Sequence, residues 1–230
     1  MLKNIIQIAG VLDLEEALML ADQGVDYIGF PIRLKDGRED ISEEYAKFII
    51  SKIKNKVKPV LITYLDNANE VIELCKYLDI KVVQLHGRIE VAEIQKLKDS
   101  SPDIQIIKSL IVKEDNLEDL SLEIYTYSDY VDFFITDTFD PATGRIGATG
   151  KTHNWETSRQ LVELSSRPVI LAGGLTPDNA REAILKVKPA GVDSHTGVED
   201  SNGRKNPNLV KKFVSVARRG FNDLNNEYQN

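Results

Sequence analysis

The chain has 230 residues, of which 42% are hydrophobic, and a formal net charge of −7 at pH 7. This length and apolar content suffice for one substantial core, while the acidic charge argues against binding to nucleic acid or anionic membranes, which needs clustered positive charge. No run reaches the ~18 apolar residues of a spanning helix and no signal-peptide pattern opens the chain, which predicts a cytoplasmic protein with a small-molecule partner.

Eight short apolar runs recur along the chain, each followed by a turn and an amphipathic stretch. Runs that are apolar on both faces are typical of parallel strands buried between two layers. The predicted strands are 5–9, 27–30, 59–63, 81–86, 104–110, 131–137, 168–173 and 190–195. Helices are predicted between them from 3.6-residue spacing and capping residues, most clearly over 13–24, 69–78, 177–189 and 206–219.

Eight strand–helix units in this length predict a single (β/α)8 TIM barrel that takes in residues 1–230. A doubly wound open sheet is the alternative, but Gly10 after the first strand does not begin the G-x-G-x-x-G turn of that fold. The polar segment 220–230 is expected to be a frayed tail beyond the last helix.

The ends of the last two predicted strands suggest a phosphate site. In such barrels the active site lies where the strands end on their C-terminal side. Gly173 and Gly174 close one strand, and Thr196 and Gly197 follow the next. Free backbone N–H groups in two neighbouring loops would bind an anion, whereas the alternative is that these glycines only make tight turns.

Two further features lie at the predicted mouth of the barrel. Asp137 closes an otherwise apolar strand, where desolvation suits a general acid, although an aspartate that caps the next turn fits equally well. The loop 140–152 ends like a P-loop, but Arg145 stands where that motif needs glycine. A glycine-rich lid that brings Lys151 near an anion fits better than a P-loop, with a solvated loop as the alternative. No ligand spacing predicts a metal, and no cofactor is expected.

Four stretches together resemble phosphoribosylanthranilate isomerase, the (β/α)8 enzyme of tryptophan biosynthesis. They are VVQLHG (82–87), GATGKTHNW (147–155), PVILAGGLTPDNAREAI (168–184) and GVDSHTGVE (191–199), and their order and spacing agree over essentially the whole chain. The resemblance implies an Amadori rearrangement of N-(5-phosphoribosyl)anthranilate to the carboxyphenylamino-deoxyribulose 5-phosphate. A general acid protonates the furanose oxygen, the ring opens to a Schiff base, and a general base removes the C2′ proton.

The resemblance also assigns roles to single residues. Asp137 matches the general acid, and Arg38 matches the arginine that holds the anthranilate carboxylate, with Arg33 as a competing position. His86 matches the family's histidine and Asp193 its aspartate on the last strand, so both are expected at the substrate.

The first strand departs from the family pattern, because Gln7 and Ala9 replace a lysine and the cysteine that acts as base. His195 is a second departure, at a position where the family has a small residue, and strand alternation places it on the same side as Asp193. We predict that His195 is a displaced general base; the alternative is a histidine that hydrogen-bonds a phosphate or loop backbone without transferring protons.

Three functions remain open from the sequence: a phosphoribosylanthranilate isomerase with another base, an isomerase or lyase that acts on a different sugar phosphate, and a non-catalytic binding paralogue. The chain is expected to act as a monomer or a homodimer.

Overall fold

The structure is a computed structural model that describes residues 4–34, 41–140, 145–146 and 152–227. The strands in these ranges are β1 (Ile5–Ala9), β2 (Tyr27–Pro31), β3 (Lys58–Thr63), β4 (Val82–Leu85), β5 (Gln105–Val112), β6 (Phe133–Asp140), β7 (Arg145–Ile146), β8 (Val169–Leu171) and β9 (Gly191–Ser194). All of them except β7 pair in parallel, in the order β5-β4-β3-β2-β1-β9-β8-β6, and a β5–β6 pairing closes the barrel. The predicted (β/α)8 barrel and the positions of its eight strands are confirmed.

Helices cover the outside of the barrel. Those in the described ranges are α1 (Leu14–Asp22), α2 (Glu43–Ile53), α3 (Ala68–Leu78), α4 (Val91–Ser100), α5 (Leu117–Tyr127), α6 (Trp155–Leu164), α7 (Ala180–Val187) and α8 (Pro207–Glu227), with a 3-10 turn η1 (Thr196–Val198) before α8. Side-chain caps begin several of them; Asp13, for example, accepts a hydrogen bond from the Glu16 backbone N–H at 2.9 Å. None of these helices is long and apolar enough to cross a membrane.

Two apolar layers follow from the alternation of side chains along each strand. Residues such as Ile6 and Ile8 of β1 pack outward with the helices in the larger core. The smaller cluster contains strand residues that point into the barrel, among them Ile5 and Ala9 of the same strand. Gln7, between Ile5 and Ala9 on this inner face, is fully buried. The barrel interior is therefore apolar at its base and becomes polar toward the C-terminal mouth.

The C-terminal segment differs from the prediction. Helix α8 continues to Glu227, and Phe221 and Leu224 are buried at about one turn's spacing after Ala217. The expected frayed tail over 220–230 is therefore wrong for residues 220–227, because these apolar side chains continue the inner face of α8 through a polar sequence.

The loop after β6 contains a feature that was not predicted. Strand β6 runs past the barrel rim, and Phe139 and Asp140 pair antiparallel with Ile146 and Arg145. The described part of the predicted lid over 140–152 is thus a short β-hairpin. The Lys151 that was predicted to lie near an anion falls outside the described residues.

Candidate active site

A chain of hydrogen bonds lines the polar part of the barrel interior. The Gln7 side-chain N–H donates to Gln84 Oε1 at 3.0 Å, and the Gln84 amide donates to Ser109 Oγ at 3.4 Å. Ser109 Oγ in turn lies 3.0 Å from His86 Nδ1. The His86 ring also meets the Tyr64 ring edge to face, with their centroids 4.8 Å apart. These contacts fix the imidazole of His86 at the mouth, where the sequence placed it.

Asp137 faces His86 across this mouth. Its Oδ2 lies 3.7 Å from His86 Nε2, and its side chain is 15% exposed. Burial raises the pKa of Asp137 to about 7, although the hydrogen bond that its Oδ1 accepts from the Thr138 backbone N–H at 2.7 Å works the other way. A large fraction of the group therefore carries a proton at neutral pH, which is what a general acid needs.

Asp193 is a second carboxyl at the same mouth. Its register partner on β1 is Gln7, so the two side chains lie side by side and face inward. Burial raises the pKa of Asp193 to about 7, the charge of Asp137 adds to the increase, and the Gln7 amide and the Lys205 ammonium oppose it. Two carboxyls that disfavour each other's ionisation share the site.

Ala9 and His195 lie at the mouth where β1 and β9 end. Ala9 is 4% exposed, and a Cβ added at Gly29 on the adjacent strand would lie 3.0 Å from its methyl group. The His195 ring rests on Gly10, which is why a Cβ there would come within 2.2 Å of His195 Nε2. The strand pairing also places His195 level with Ala9, since Gln7 pairs with Asp193 and Ile8 with Ser194.

The surroundings of His195 favour a neutral ring. Its Nε2 lies 3.5 Å from Glu199 Oε1, and that carboxylate binds Lys205 Nζ at 2.5 Å. Lys205 also donates to the His195 carbonyl oxygen at 3.1 Å. Burial lowers the pKa of His195 to about 3, and the Lys205 cation contributes to the decrease. The imidazole of His195 is thus uncharged at neutral pH and is a weak base.

The predicted phosphate residues meet at the ends of β8 and β9. Gly173 and Gly174 have φ of +104° and +62°, a region that favours glycine. Among the described residues, no hydrogen bond uses the backbone N–H of either glycine. A Cβ at Gly197 would lie 1.9 Å from the Leu175 carbonyl oxygen, so the two loops are in direct backbone contact. Thr196 begins the 3-10 turn beside them. The ends of β8 and β9 thus bring the four predicted phosphate residues into two neighbouring loops.

The arginine predictions have separate outcomes. Arg38 lies outside the described residues. Its competitor Arg33 donates from Nε to Glu43 at 2.7 Å, close to the start of α2. In the described part of the chain, no three His, Cys, Asp or Glu side chains group as a metal site.

Sequence reasoning missed His153, the third histidine. Its Nδ1 lies 2.8 Å from Thr138 Oγ1 and its Nε2 lies 2.5 Å from Ser158 Oγ. A Cβ at Gly173 would come within 2.9 Å of Nδ1, so the ring packs between the ends of β6 and β8. Its only sequence signal is its position directly before Asn154, which caps α6. His153 supports the strand end that carries Asp137.

A closed barrel of eight parallel strands covered by helices defines the (β/α)8 TIM-barrel class, whose active sites lie at the C-terminal mouth where Asp137 and Asp193 are found. Comparison with known proteins identifies the family within this class. The family described as N-(5'phosphoribosyl)anthranilate (PRA) isomerase matches residues 6–216. N-(5'-phosphoribosyl)anthranilate isomerase 2 of Methanosarcina mazei is 39% identical over 222 residues, which are 96% of this chain and 97% of that protein. The chain belongs to the PRA isomerase family and is an isomerase.

Solved structures agree with this assignment. The PRA isomerase of Thermotoga maritima superimposes with a TM-score of 0.80 at 28% identity, over 94% of this chain and 98% of that one. A PRA isomerase in complex with reduced 1-(o-carboxyphenylamino)-1-deoxyribulose 5-phosphate superimposes with a TM-score of 0.76 at 26% identity, with the same coverage. The family identified from sequence motifs is confirmed.

Proposed function

We propose that this protein converts N-(5-phosphoribosyl)anthranilate to the carboxyphenylamino-deoxyribulose 5-phosphate, with Asp137 as the general acid. The observation that carries the proposal is the position of Asp137 in the barrel mouth, buried beside His86. A carboxyl that holds its proton to neutral pH protonates the furanose ring oxygen, which leaves C1′ as the ring opens to the Schiff base.

The rest of the substrate fits the remaining predicted residues. The backbone N–H groups at Gly173, Gly174, Thr196 and Gly197 bind the phosphate, for which their loops already lie in contact. Arg38 takes the anthranilate carboxylate and Lys151 contacts an anionic group of the substrate, as the sequence predicts. His86, held by Ser109, positions the sugar beside Asp137.

The base that removes the C2′ proton is one of two side chains. Ala9 cannot accept a proton, and the described side chains beside it at the mouth with that capacity are His195 and Asp193. His195 is the sequence prediction and lies level with Ala9. Its alternative role, a hydrogen bond to the phosphate or to loop backbone, fits a ring whose pKa burial lowers to about 3.

The test supplies N-(5-phosphoribosyl)anthranilate and measures product formation by the wild type and by Asp137→Asn. We expect turnover by the wild type and a loss of ~10²- to 10⁴-fold in kcat for the variant. Asp103→Asn, which removes a surface carboxylate paired with Lys81, is the matched control and should keep wild-type activity.

Other results would select other functions. Turnover only after Ala9→Cys would indicate a disabled or redirected enzyme. Tight binding of the reduced product analogue without turnover in any variant would indicate a binding paralogue. Full activity of Asp137→Asn would remove this residue from the acid role.

A further inference from the structure

The barrel mouth contains a pair of buried acceptors that lack a donor. Within the described residues, Asp193 Oδ1 and Gln7 Oε1 are both buried and neither has a hydrogen-bond partner. The two side chains are register partners on β9 and β1 and face the same interior. Buried acceptors without donors are costly, and a single proton added to the Asp193 carboxyl would supply the missing donor. The open acceptor accommodates a proton on Asp193, while the hydrogen bond from the Gln7 amide favours the ionised form, so the local structure supports both protonation states of a base.

We propose that Asp193 is the general base of the reaction and takes the C2′ proton that a cysteine on β1 would otherwise accept. This inference rests on the proposed function. Three observations support it. Asp193 pairs with Gln7, two residues before Ala9 on the same inward face of β1. It lies close enough to Asp137 for that charge to act on it, and the hydrogen bond from the Gln7 amide stabilises the carboxylate that accepts the proton.

The two carboxyls lie on different strands, separated by β8 in the barrel. Asp137 on β6 and Asp193 on β9 therefore approach the bound sugar from different sides. They are still close enough for the charge of Asp137 to raise the pKa of Asp193. An acid and a base directed at one sugar from two sides match the two proton transfers of the rearrangement, which act at the ring oxygen and at C2′.

The competing histidine is less suited to the step. His195 Nε2 faces Glu199, whose carboxylate Lys205 already binds at 2.5 Å. Burial among these groups lowers the pKa of His195 to about 3, whereas burial raises that of Asp193 to about 7. The proton affinity of a base sets its rate of proton abstraction, so Asp193 is the stronger acceptor of the two near neutral pH.

The proton transfers close into a balanced cycle. The Asp137 carboxylic acid protonates the ring oxygen, the C1′–O bond breaks, and the nitrogen lone pair forms the C1′=N iminium. The Asp193 carboxylate then removes the C2′ proton, and the C–H electrons form the C1′=C2′ bond of the enolamine while the iminium π electrons return to nitrogen. Asp137 recovers a proton from the C2′ hydroxyl as the ketone forms, and Asp193 returns its proton to C1′. No oxidant, metal or cofactor is consumed.

The protonation state of the Asp137–Asp193 pair suits the proposed proton transfers. The groups that face the pair are His86, directly after β4, the Gln7 amide from β1 and Lys205 from the segment before α8. When one carboxyl is ionised, it disfavours ionisation of the other, so the pair holds one proton over a range around neutrality. The singly protonated pair contains one acid and one base at the same time, which the first step requires.

The test compares wild type, Asp193→Asn, His195→Ala and the double variant Ala9→Cys/Asp193→Asn on N-(5-phosphoribosyl)anthranilate. We expect Asp193→Asn to lower kcat by ~10²- to 10⁴-fold with KM changed by only a few fold, because the isosteric amide cannot accept the proton. With substrate deuterated at C2′, the isotope effect on kcat should increase in this variant. The thiol of the double variant should restore at least about tenfold, whereas it should not restore Asp137→Asn.

Binding of the reduced product analogue and circular dichroism check that each variant is folded and has an intact site. If Asp193→Asn does not fold, Asp193→Ser takes its place in the same comparison. Near-normal kcat without Asp193, with a large loss in His195→Ala, would overturn the proposal and assign the base to His195, while the proposed function would stand. No turnover by the wild type would overturn both.

Discussion

The buried His153 predicts a measurable sensitivity of the fold to acid. Burial lowers the pKa of its imidazole from 6.5 to about 4. The unfolded chain therefore binds a proton on this residue before the folded chain does, and stability is lost as the pH falls from about 6.5 toward 4. A pKa difference of one unit corresponds to about 1.36 kcal/mol of unfolding free energy. The shift of His153 therefore costs the folded state about 3 kcal/mol once the titration is complete, and about 2.5 kcal/mol at pH 4.5.

The substitution His153→Gln isolates this contribution, because glutamine can keep hydrogen bonds to Thr138 and Ser158 but does not titrate. We expect the wild type to be more stable by about 1 kcal/mol at pH 7, where the histidine hydrogen bonds are intact. The order should reverse below pH 5.5. His195 and the two raised carboxyls titrate in the same way in both proteins, so they cancel in the difference.

The assay is urea denaturation followed by circular dichroism at pH 7.0, 5.5 and 4.5, with the difference in unfolding free energy plotted against pH. A difference that does not change with pH would refute the reasoning, since it would mean that His153 has the same pKa in the folded and unfolded chains. A crossover near pH 5.5 to 6 supports a neutral, buried imidazole between the ends of β6 and β8.

Three further predictions concern the mouth of the barrel. The pH profile of kcat/KM should be bell-shaped with its maximum near pH 7. Burial raises the pKa of both carboxyls to about 7, and the proposed mechanism needs Asp137 protonated and Asp193 ionised. A value of kcat/KM that is constant from about pH 5 to 9 would contradict this mechanism. Gly197→Ala should raise KM at least about tenfold, because its Cβ would lie 1.9 Å from the Leu175 carbonyl oxygen and push the two predicted phosphate loops apart. Steady-state kinetics measure the change in KM, and titration with inorganic phosphate measures the loss of phosphate affinity. Gln7→Lys should move the acid limb of the pH profile to lower pH, because an ammonium beside Asp193 favours the ionised carboxylate. An unchanged acid limb would mean that ionisation of Asp193 does not control it.

The sequence was most informative about the barrel and its catalytic strand ends. A parallel strand buried between layers is apolar on both faces, so each of the eight strands was visible as a run, and a polar residue at its end was conspicuous. Asp137 could be singled out for this reason, whereas Asp193 was proposed from the family resemblance. The loops predicted to bind phosphate were visible because glycine is the residue that permits the positive φ found at Gly173 and Gly174.

The contacts between distant strands were not predictable in the same way. The hydrogen bonds from Gln7 to Gln84 and from Gln84 to Ser109 depend on the relative register of strands β1, β4 and β5, which the barrel closure sets. The end of α8 was missed for a different reason. Phe221 and Leu224 are the only large apolar side chains in a polar segment, and their helical spacing outweighs its composition.

Gln7 and Ala9, the two positions on β1 where the sequence departs from the pattern it resembles, both bear on the proposed role of Asp193. The pattern that the sequence resembles implies a lysine at position 7 and a cysteine at position 9, where this chain has Gln7 and Ala9, and Gln7 lies on the inward face beside Asp193. A lysine ammonium next to a buried carboxylate adds a full positive charge that favours the ionised form, whereas the neutral Gln7 amide opposes burial and the charge of Asp137 by a hydrogen bond alone. Under the proposed mechanism, the amide at position 7 leaves Asp193 with a higher proton affinity than a lysine at that position would, as a base near neutral pH requires. In the proposed mechanism, the change at position 9 removes a base from β1, and the change at position 7 allows Asp193 on β9 to take over its function.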